Sequence, residues 1–195
     1  ITGDGTAAKV NLGSFTLGTS DFTLSFFAKG SLNSIMSQGS GSLGFTLYGA
    51  TSNSLSMYDY GSGSNVINGS VNWPSSSVWY KVTLSRVSNN LTLIVDDGTT
   101  AISRTGTTTT SYASGQLRGL NNVLNEGQFS AISLSNVTLT FGGLTYYWPL
   151  CEGPGSGNAN RDVHCIKSDN TSSVVSSAIV NGTVSTIWAN ATDYT

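Results

Sequence analysis

The chain has 195 residues, of which only 9% are charged, 8 Lys+Arg against 10 Asp+Glu for a net charge of -2; an ordinary soluble domain carries roughly 25%. About half of it is Ser, Thr, Asn and Gly, so neutral hydrogen-bonding groups wet its surface, as in secreted or particle-surface proteins rather than a typical cytosolic enzyme. Scattered cations exclude a phosphate-backbone footprint, the apolar runs fall short of a ~18-residue membrane span, and the scarcity of Glu and Lys at helical spacing excludes a helical bundle.

A hydrophobic fraction of 38%, with 4 Trp, 8 Tyr and 7 Phe, supplies enough apolar surface to offset the ordering entropy of one domain spanning 1–195. The first residue, Ile1, follows no initiator Met and no signal core, which reads as a processed chain or an excised piece. Residues 21–29 alternate, with Phe22, Leu24, Phe26 and Ala28 opposed to Thr23, Ser25, Phe27 and Lys29, and this predicts a half-buried strand. The Gly/Ser/Asn clusters Ser37 to Gly44 and Gly61 to Asn72 read as loops. Residues 78–86 alternate again, Val78, Tyr80, Val82 and Leu84 against Trp79, Lys81, Thr83 and Ser85. After a turn at Ser88-Asn89-Asn90 come Leu91, Leu93 and Val95, and Asp96-Asp97-Gly98 turns the chain back along Thr99 to Arg104. This predicts a three-strand meander over 78–104.

Over 130–141 the apolar parity changes, from Ile132 and Leu134 to Val137, Leu139 and Phe141. A bulge or turn near Ser135-Asn136 follows, because an unbroken strand would swing one set to the wrong face. Short strands between frequent turns predict an all-β antiparallel sandwich or jelly roll of a dozen or more strands. Residues 151–195 form a closing loop with a final strand or extension, and 174–180 is apolar and β-branched enough to be a strand of its own sheet or one donated to a neighbour.

Five segments stand in a familiar order: Ile1 to Val10 with Asp4-Gly5, Phe22 to Lys29, Ile35 to Gly39, Trp79 to Arg86, and Leu91 to Gly98. Together they resemble the successive strands of LamG-like, concanavalin A-like lectin/glucanase domains over about residues 1–150. The run Tyr146-Tyr-Trp-Pro-Leu-Cys-Glu152-Gly153-Pro-Gly155, then Asp162, then Ser185 to Trp188, is similar to the endings of such domains in bacteriophage structural and tail proteins. After Asp162 it departs from that pattern with Val163-His-Cys-Ile166. The resemblance implies a jelly roll of two sheets whose loops and concave face often bind carbohydrate. It also implies a structural calcium held by Asp4, Glu152 and Asp162, although acidic residues beside glycine are equally ordinary turn formers.

Glycan cleavage needs two carboxylates about 5–9 Å apart, and the only Glu residues, Glu126 and Glu152, stand in no Glu-x-Asp-x-x-Glu strand. Asp96 and Asp97 are adjacent, and the turn reading absorbs them. His164 is the sole histidine, so neither a triad nor a zinc site is signalled. Cys151 and Cys165 bracket a Gly/Asn-rich loop; a disulfide and two free thiols are both open. The six Asn-x-Ser/Thr sites are about what chance gives in so Asn-, Ser- and Thr-rich a chain. Tyr48, Tyr58, Tyr60 and Trp73 lie beside polar loops and are the candidate sugar-stacking residues, whereas Trp79, Trp148 and Trp188 have strand-like neighbours and read as packing.

These readings combine into an expected non-enzymatic module on a virion surface or in the extracellular space. It would be a phage tail-fibre or adhesin component or a capsid decoration that binds host-surface glycan. It would assemble as a homo-oligomer or with other virion proteins, without nucleic acid or membrane insertion. The alternative is a purely structural subunit of a virion or filament, held by β-strand contacts.

Overall fold

Residues 5, 9–51, 54–67, 71–73, 75–150, 163–167 and 172–175 are described by the structure, a computed structural model. Seventeen strands and no helix occur among them: β1 (Val10–Gly18), β2 (Phe22–Ser31), β3 (Ser34–Ser40), β4 (Leu43–Thr51), β5 (Ser54–Asp59), β6 (Ser64–Asn65), β7 (Val71–Asn72), β8 (Tyr80–Val87) and β9 (Asn90–Asp96). The chain continues with β10 (Ala101–Thr107), β11 (Tyr112–Gly119), β12 (Asn121–Asn122), β13 (Asn125–Phe129), β14 (Ala131–Phe141), β15 (Leu144–Trp148), β16 (Val163–Lys167) and β17 (Ser172–Val175). One antiparallel sheet has the order β1-β11-β3-β4-β5-β6, with β7 also on β5; the other runs β10-β9-β8-β2-β14-β15-β16-β17; β12 and β13 pair separately. The protein is an all-β antiparallel sandwich, as the strand pattern predicts.

Alternation places the core where the sequence puts it in the second sheet. Phe22, Leu24, Phe26 and Ala28 of β2 are buried, as are Tyr80, Val82 and Leu84 of β8 and Leu91, Leu93 and Val95 of β9. At roughly 1.5–3 kcal/mol per large buried side chain, this face gives the sheet its main reason to close against the other. Across the interface Phe22 stacks on Phe45 of β4 with centroids 5.9 Å apart, and Phe15 of β1 meets Trp148 of β15 edge-on at 6.0 Å.

The meander is β8-β9-β10, and Gly98 at its second turn has φ 86, a left-handed conformation that glycine adopts without penalty. The Asp97 carboxylate accepts the amides of Thr99 and Thr100 and the Thr99 hydroxyl, which fixes the turn. The parity switch in β14 is a bulge: Ser135 pairs with Phe27 and Thr138 with Ser25, so Asn136 and Val137 oppose Phe26 alone. Asn136 carries it at φ 49, its amide N–H bonded to the Pro149 carbonyl.

Three expectations change. Val78 precedes β8 and is 38% exposed, because the strand and its buried face begin at Tyr80. Residues 37–44 are the end of β3, a turn at Gly41-Ser42 and the start of β4 rather than a loop. β3 is buried on both faces, so it lacks the alternation that announces a strand, and its polar residues are internally bonded. The Gln38 Nε2, for example, donates to the carbonyls of Phe15 and Ala113. Residues 61–72 likewise contain β6, the Ile67 bridge to Gly106, and β7.

Candidate functional site

Cross-strand partners share a face of the sheet. Register therefore fixes which residues of the first sheet face away from the core. Phe45 and Leu47 of β4 and Leu55 and Met57 of β5 point into the core. Their alternates point out: Thr46 is paired with Tyr58, and Tyr48 with Ser56. Asn65 of β6 extends the row as the partner of Tyr58. Tyr60 follows β5 directly, its amide held by the Gly44 carbonyl at 2.9 Å.

The β12-β13 hairpin lies over the outer face of β3 and closes one side of this surface. Ser37 ties it down twice, its Oγ donating to the Asn121 carbonyl at 2.9 Å and accepting the Val123 amide at 2.8 Å. Arg118 of β11 donates to the Asn121 Oδ1, and the Ser130 hydroxyl to the Ser34 carbonyl. Gly44 makes room beneath: a Cβ there would come within 2.9 Å of the Leu124 side chain and 2.2 Å of the Gln38 carbonyl oxygen.

Between hairpin and sheet is an open cleft of about 310 Å³ lined by Thr46, Tyr48, Tyr58, Tyr60 and Gln128. The three tyrosines are half-buried. Tyr58 and Tyr60 meet edge-to-face at 4.9 Å, a contact worth about 0.5–1.5 kcal/mol that holds both rings upright. Tyr48 Oη donates to Asn65 Oδ1 at 2.9 Å. Asn122 Nδ2 donates both to Tyr60 Oη at 2.6 Å and to Gln128 Oε1 at 2.7 Å. Aromatic faces beside neutral amides and hydroxyls suit an uncharged, hydroxyl-rich ligand.

Beneath Tyr60, at the core end of the same turn, lies a buried polar cluster. Asp59 is fully buried and accepts five hydrogen bonds: from the amides of Gly61 and Ser62, the hydroxyls of Thr110 and Thr108, and Tyr112 Oη. Arg86, also fully buried, donates to the carbonyls of Gly18, Ser88, Thr108 and Thr110 and lies 5.4 Å from the Tyr112 ring. Burial, with Asp59 nearby, pushes the Tyr112 phenol well above the usual tyrosine range. The cluster joins β5 to the 108–111 segment that carries the chain between the sheets, and it fixes the backbone on which Tyr60 stands.

The structure thus brings Tyr48, Tyr58 and Tyr60 into one cleft and removes Trp73 from it. Trp73 is 1% exposed, donates its Nε1–H to the Gly30 carbonyl at 3.1 Å and packs on Tyr80 at 4.3 Å. Its polar neighbours hide a core residue, and a ring so enclosed has no face for a sugar. Trp148 is buried, in line with its packing reading, and Trp79 is half-buried with the Lys29 ammonium 5.5 Å from its ring. Thr46, Asn65, Asn122 and Gln128 had no signal in the sequence, being ordinary polar residues that only the sheet register and the hairpin bring together. Asp4, Glu152, Asp162, Cys151 and Trp188 lie outside the described residues, as does any pairing of Cys151 with Cys165. Among the described residues no three of His, Cys, Asp and Glu gather where a metal ion could sit.

No protein-family model matches the chain, and no curated protein matches it in sequence. In fold it is similar to the enzymatically active domain of tailspike protein 2 of bacteriophage CBA120, with a TM-score of 0.51 and 16% identity over 68% of this chain. The matched part is 24% of that domain's length, so this chain corresponds to about a quarter of it. Full-length tailspike protein 2 from an Escherichia coli O157:H7 bacteriophage also matches, at 17% identity and a TM-score of 0.49, over 21% of its length. One expectation is corrected by the first likeness. The scarcity of paired carboxylates led to a non-enzymatic assignment, yet the fold occurs within a domain described as enzymatically active. Residue supply in one segment is therefore no ground for excluding catalysis.

Proposed function

We propose that the chain is a host-recognition domain of a phage tail protein, LamG-like in kind, that binds a surface glycan in the Tyr48-Tyr58-Tyr60 cleft. The observation that carries this reading is the cleft itself: three half-buried tyrosine rings against the neutral amide of Gln128, on the outer face of a rigid sheet. The likeness in fold to a tailspike domain supports a place on the virion surface. Because that domain is described as enzymatically active, the bound glycan is also the first candidate substrate of the tail protein carrying this chain.

A glycan array with the purified chain and with Tyr58→Ala tests the reading. Removing one stacking ring is expected to weaken a specific hit roughly 5–30-fold, from about 1–2 kcal/mol of lost contact. Hits unaffected by Tyr58→Ala and Tyr60→Ala would move the site elsewhere.

Self-assembly belongs to the same reading. β10, the outer strand of its sheet, is exposed along most of its length, with Arg104 at its centre as the kind of charge that restrains uncontrolled pairing. Light scattering of the purified chain tests it. A structural calcium at Asp4, Glu152 and Asp162 is tested by the unfolding midpoint with and without a chelator.

A further inference from the structure

The hydrogen-bond directions in the cleft choose among sugars. Leu124 contributes a backbone N–H, which can only donate, and it donates to Asn122 Oδ1 at 3.0 Å. That contact fixes the Asn122 amide, because its Nδ2 must then be the atom facing Tyr60 Oη and Gln128 Oε1. Gln128 is fixed in turn: with Oε1 accepting from Asn122, its Nε2 is left with two N–H donors. Tyr60 Oη accepts from the same Nδ2, so its own O–H also remains to donate. One backbone amide thus sets, through two side chains, a cleft wall that offers donors.

A plain hydroxyl meets these N–H and O–H donors through its oxygen, a weaker acceptor than an amide carbonyl, and its own O–H has only the remaining lone pairs of Tyr60 Oη and Gln128 Oε1 to turn to. A carboxylate would accept well, but no Lys or Arg is among the described residues lining the cleft, and a poorly paired carboxylate loses hydration on entry. An N-acyl group answers all the features at once: its carbonyl oxygen is a strong neutral acceptor, and its methyl is apolar enough to rest on a tyrosine ring. We infer that the cleft takes an N-acylated amino sugar, with Gln128 Nε2 and Tyr60 O–H directed at the acyl carbonyl and the methyl against the Tyr58-Tyr60 pair. This inference rests on the glycan-binding reading above and adds the class of sugar.

The test is an array of oligosaccharides in matched sets, each backbone displayed with a 2-acetamido group, with a free 2-hydroxyl and as the uronate. The purified chain is compared with Gln128→Glu, Gln128→Met and Tyr58→Ala, each checked for an unchanged unfolding midpoint. The acetamido form is expected to bind roughly 5–10-fold more tightly than its hydroxyl counterpart, the worth of one to two directed hydrogen bonds. Gln128→Glu, which still accepts from Asn122 but presents oxygen instead of N–H, is expected to bring that ratio close to one while leaving hydroxyl-form binding in place. Equal binding of the two forms, a preference for the uronate, or a ratio unmoved by both Gln128 variants would overturn the sugar class while leaving the cleft as a glycan site. Absence of any hit, or hits indifferent to Tyr58→Ala, would overturn the cleft reading and this inference with it.

Discussion

Replacing Asp59 by Ala removes the acceptor for five donors at once. Two of these, Thr108 Oγ1–H and Tyr112 Oη–H, belong to residues no more than 5% exposed, so water cannot replace what they lose. At about 1–3 kcal/mol for each of these two stranded buried donors, the cost is expected to be about 2–6 kcal/mol. Gly61 and Ser62 are exposed and recover their bonds from water, so they add little. Asp59→Asn keeps the shape and one acceptor oxygen but turns an N–H toward the hydroxyls, and about 2 kcal/mol is expected. Urea unfolding followed by tryptophan fluorescence measures both, read as a shift of midpoint at constant slope. A cost for Asp59→Ala below about 1 kcal/mol would refute the view that this carboxylate organises the end of the sandwich.

Trp73→Ala is expected to cost about 3–5 kcal/mol by the same assay, as for a large core ring, with glycan affinity per folded molecule unchanged; a selective loss of affinity would return Trp73 to the site. The raised Tyr112 phenol gives an alkaline signature. The unfolded chain's phenol ionises near pH 10 while the buried one keeps its proton, so the unfolded state binds fewer protons and stability falls as pH rises above about 10. Tyr112→Phe is expected to flatten that part of the profile, and identical slopes in the two proteins would contradict the burial. Asn136→Ala puts at φ 49 a residue that tolerates the left-handed region less well than Asn and removes the 2.6 Å bond from Tyr147 Oη, for about 1–2 kcal/mol; Asn136→Gly loses the bond but holds that φ without strain. If the glycine variant proves the less stable of the two, the left-handed conformation is not what selects Asn136.

How much of this could be read from the sequence depended on whether a strand has one buried face or two. β2, β8 and β9 bury one face against the core, and the alternation of their residues declared them and their inward side chains. The bulge in β14 was legible for the same reason, since Val137 could not share a face with Leu134 unless the register slipped. β3 is covered on its outer face by the hairpin, which buries Ser37, while Gln38 faces inward as the partner of Phe45 and is bonded to the Phe15 and Ala113 carbonyls. Hydrogen bonding rather than apolarity holds them inside, and no periodicity reports it. Trp73 failed in the opposite direction, because a loop-like context surrounds a ring whose indole N–H is bonded to a carbonyl of another strand.

The cleft combines both situations. Tyr48 and Tyr58 stand on β4 and β5, where alternation makes them outward-facing, and they could be nominated as aromatics in polar surroundings. Tyr60 depends on a turn anchored by Asp59, whose partners Thr108, Thr110 and Tyr112 lie about fifty residues further along the chain. Gln128 depends on a hairpin anchored by Ser37, which is separated from Asn121 by 84 residues. The Tyr48 and Tyr58 rings are therefore placed by local pattern, whereas Tyr60 and Gln128, which carry the donors that would choose the ligand, are placed by buried polar contacts between distant segments. Substitutions at Ser37 or Asp59, neither of which lines the cleft, should then alter the choice of sugar more than those at exposed positions closer to it, because they move Gln128 and Tyr60 while leaving Tyr48 and Tyr58 where the sheet holds them.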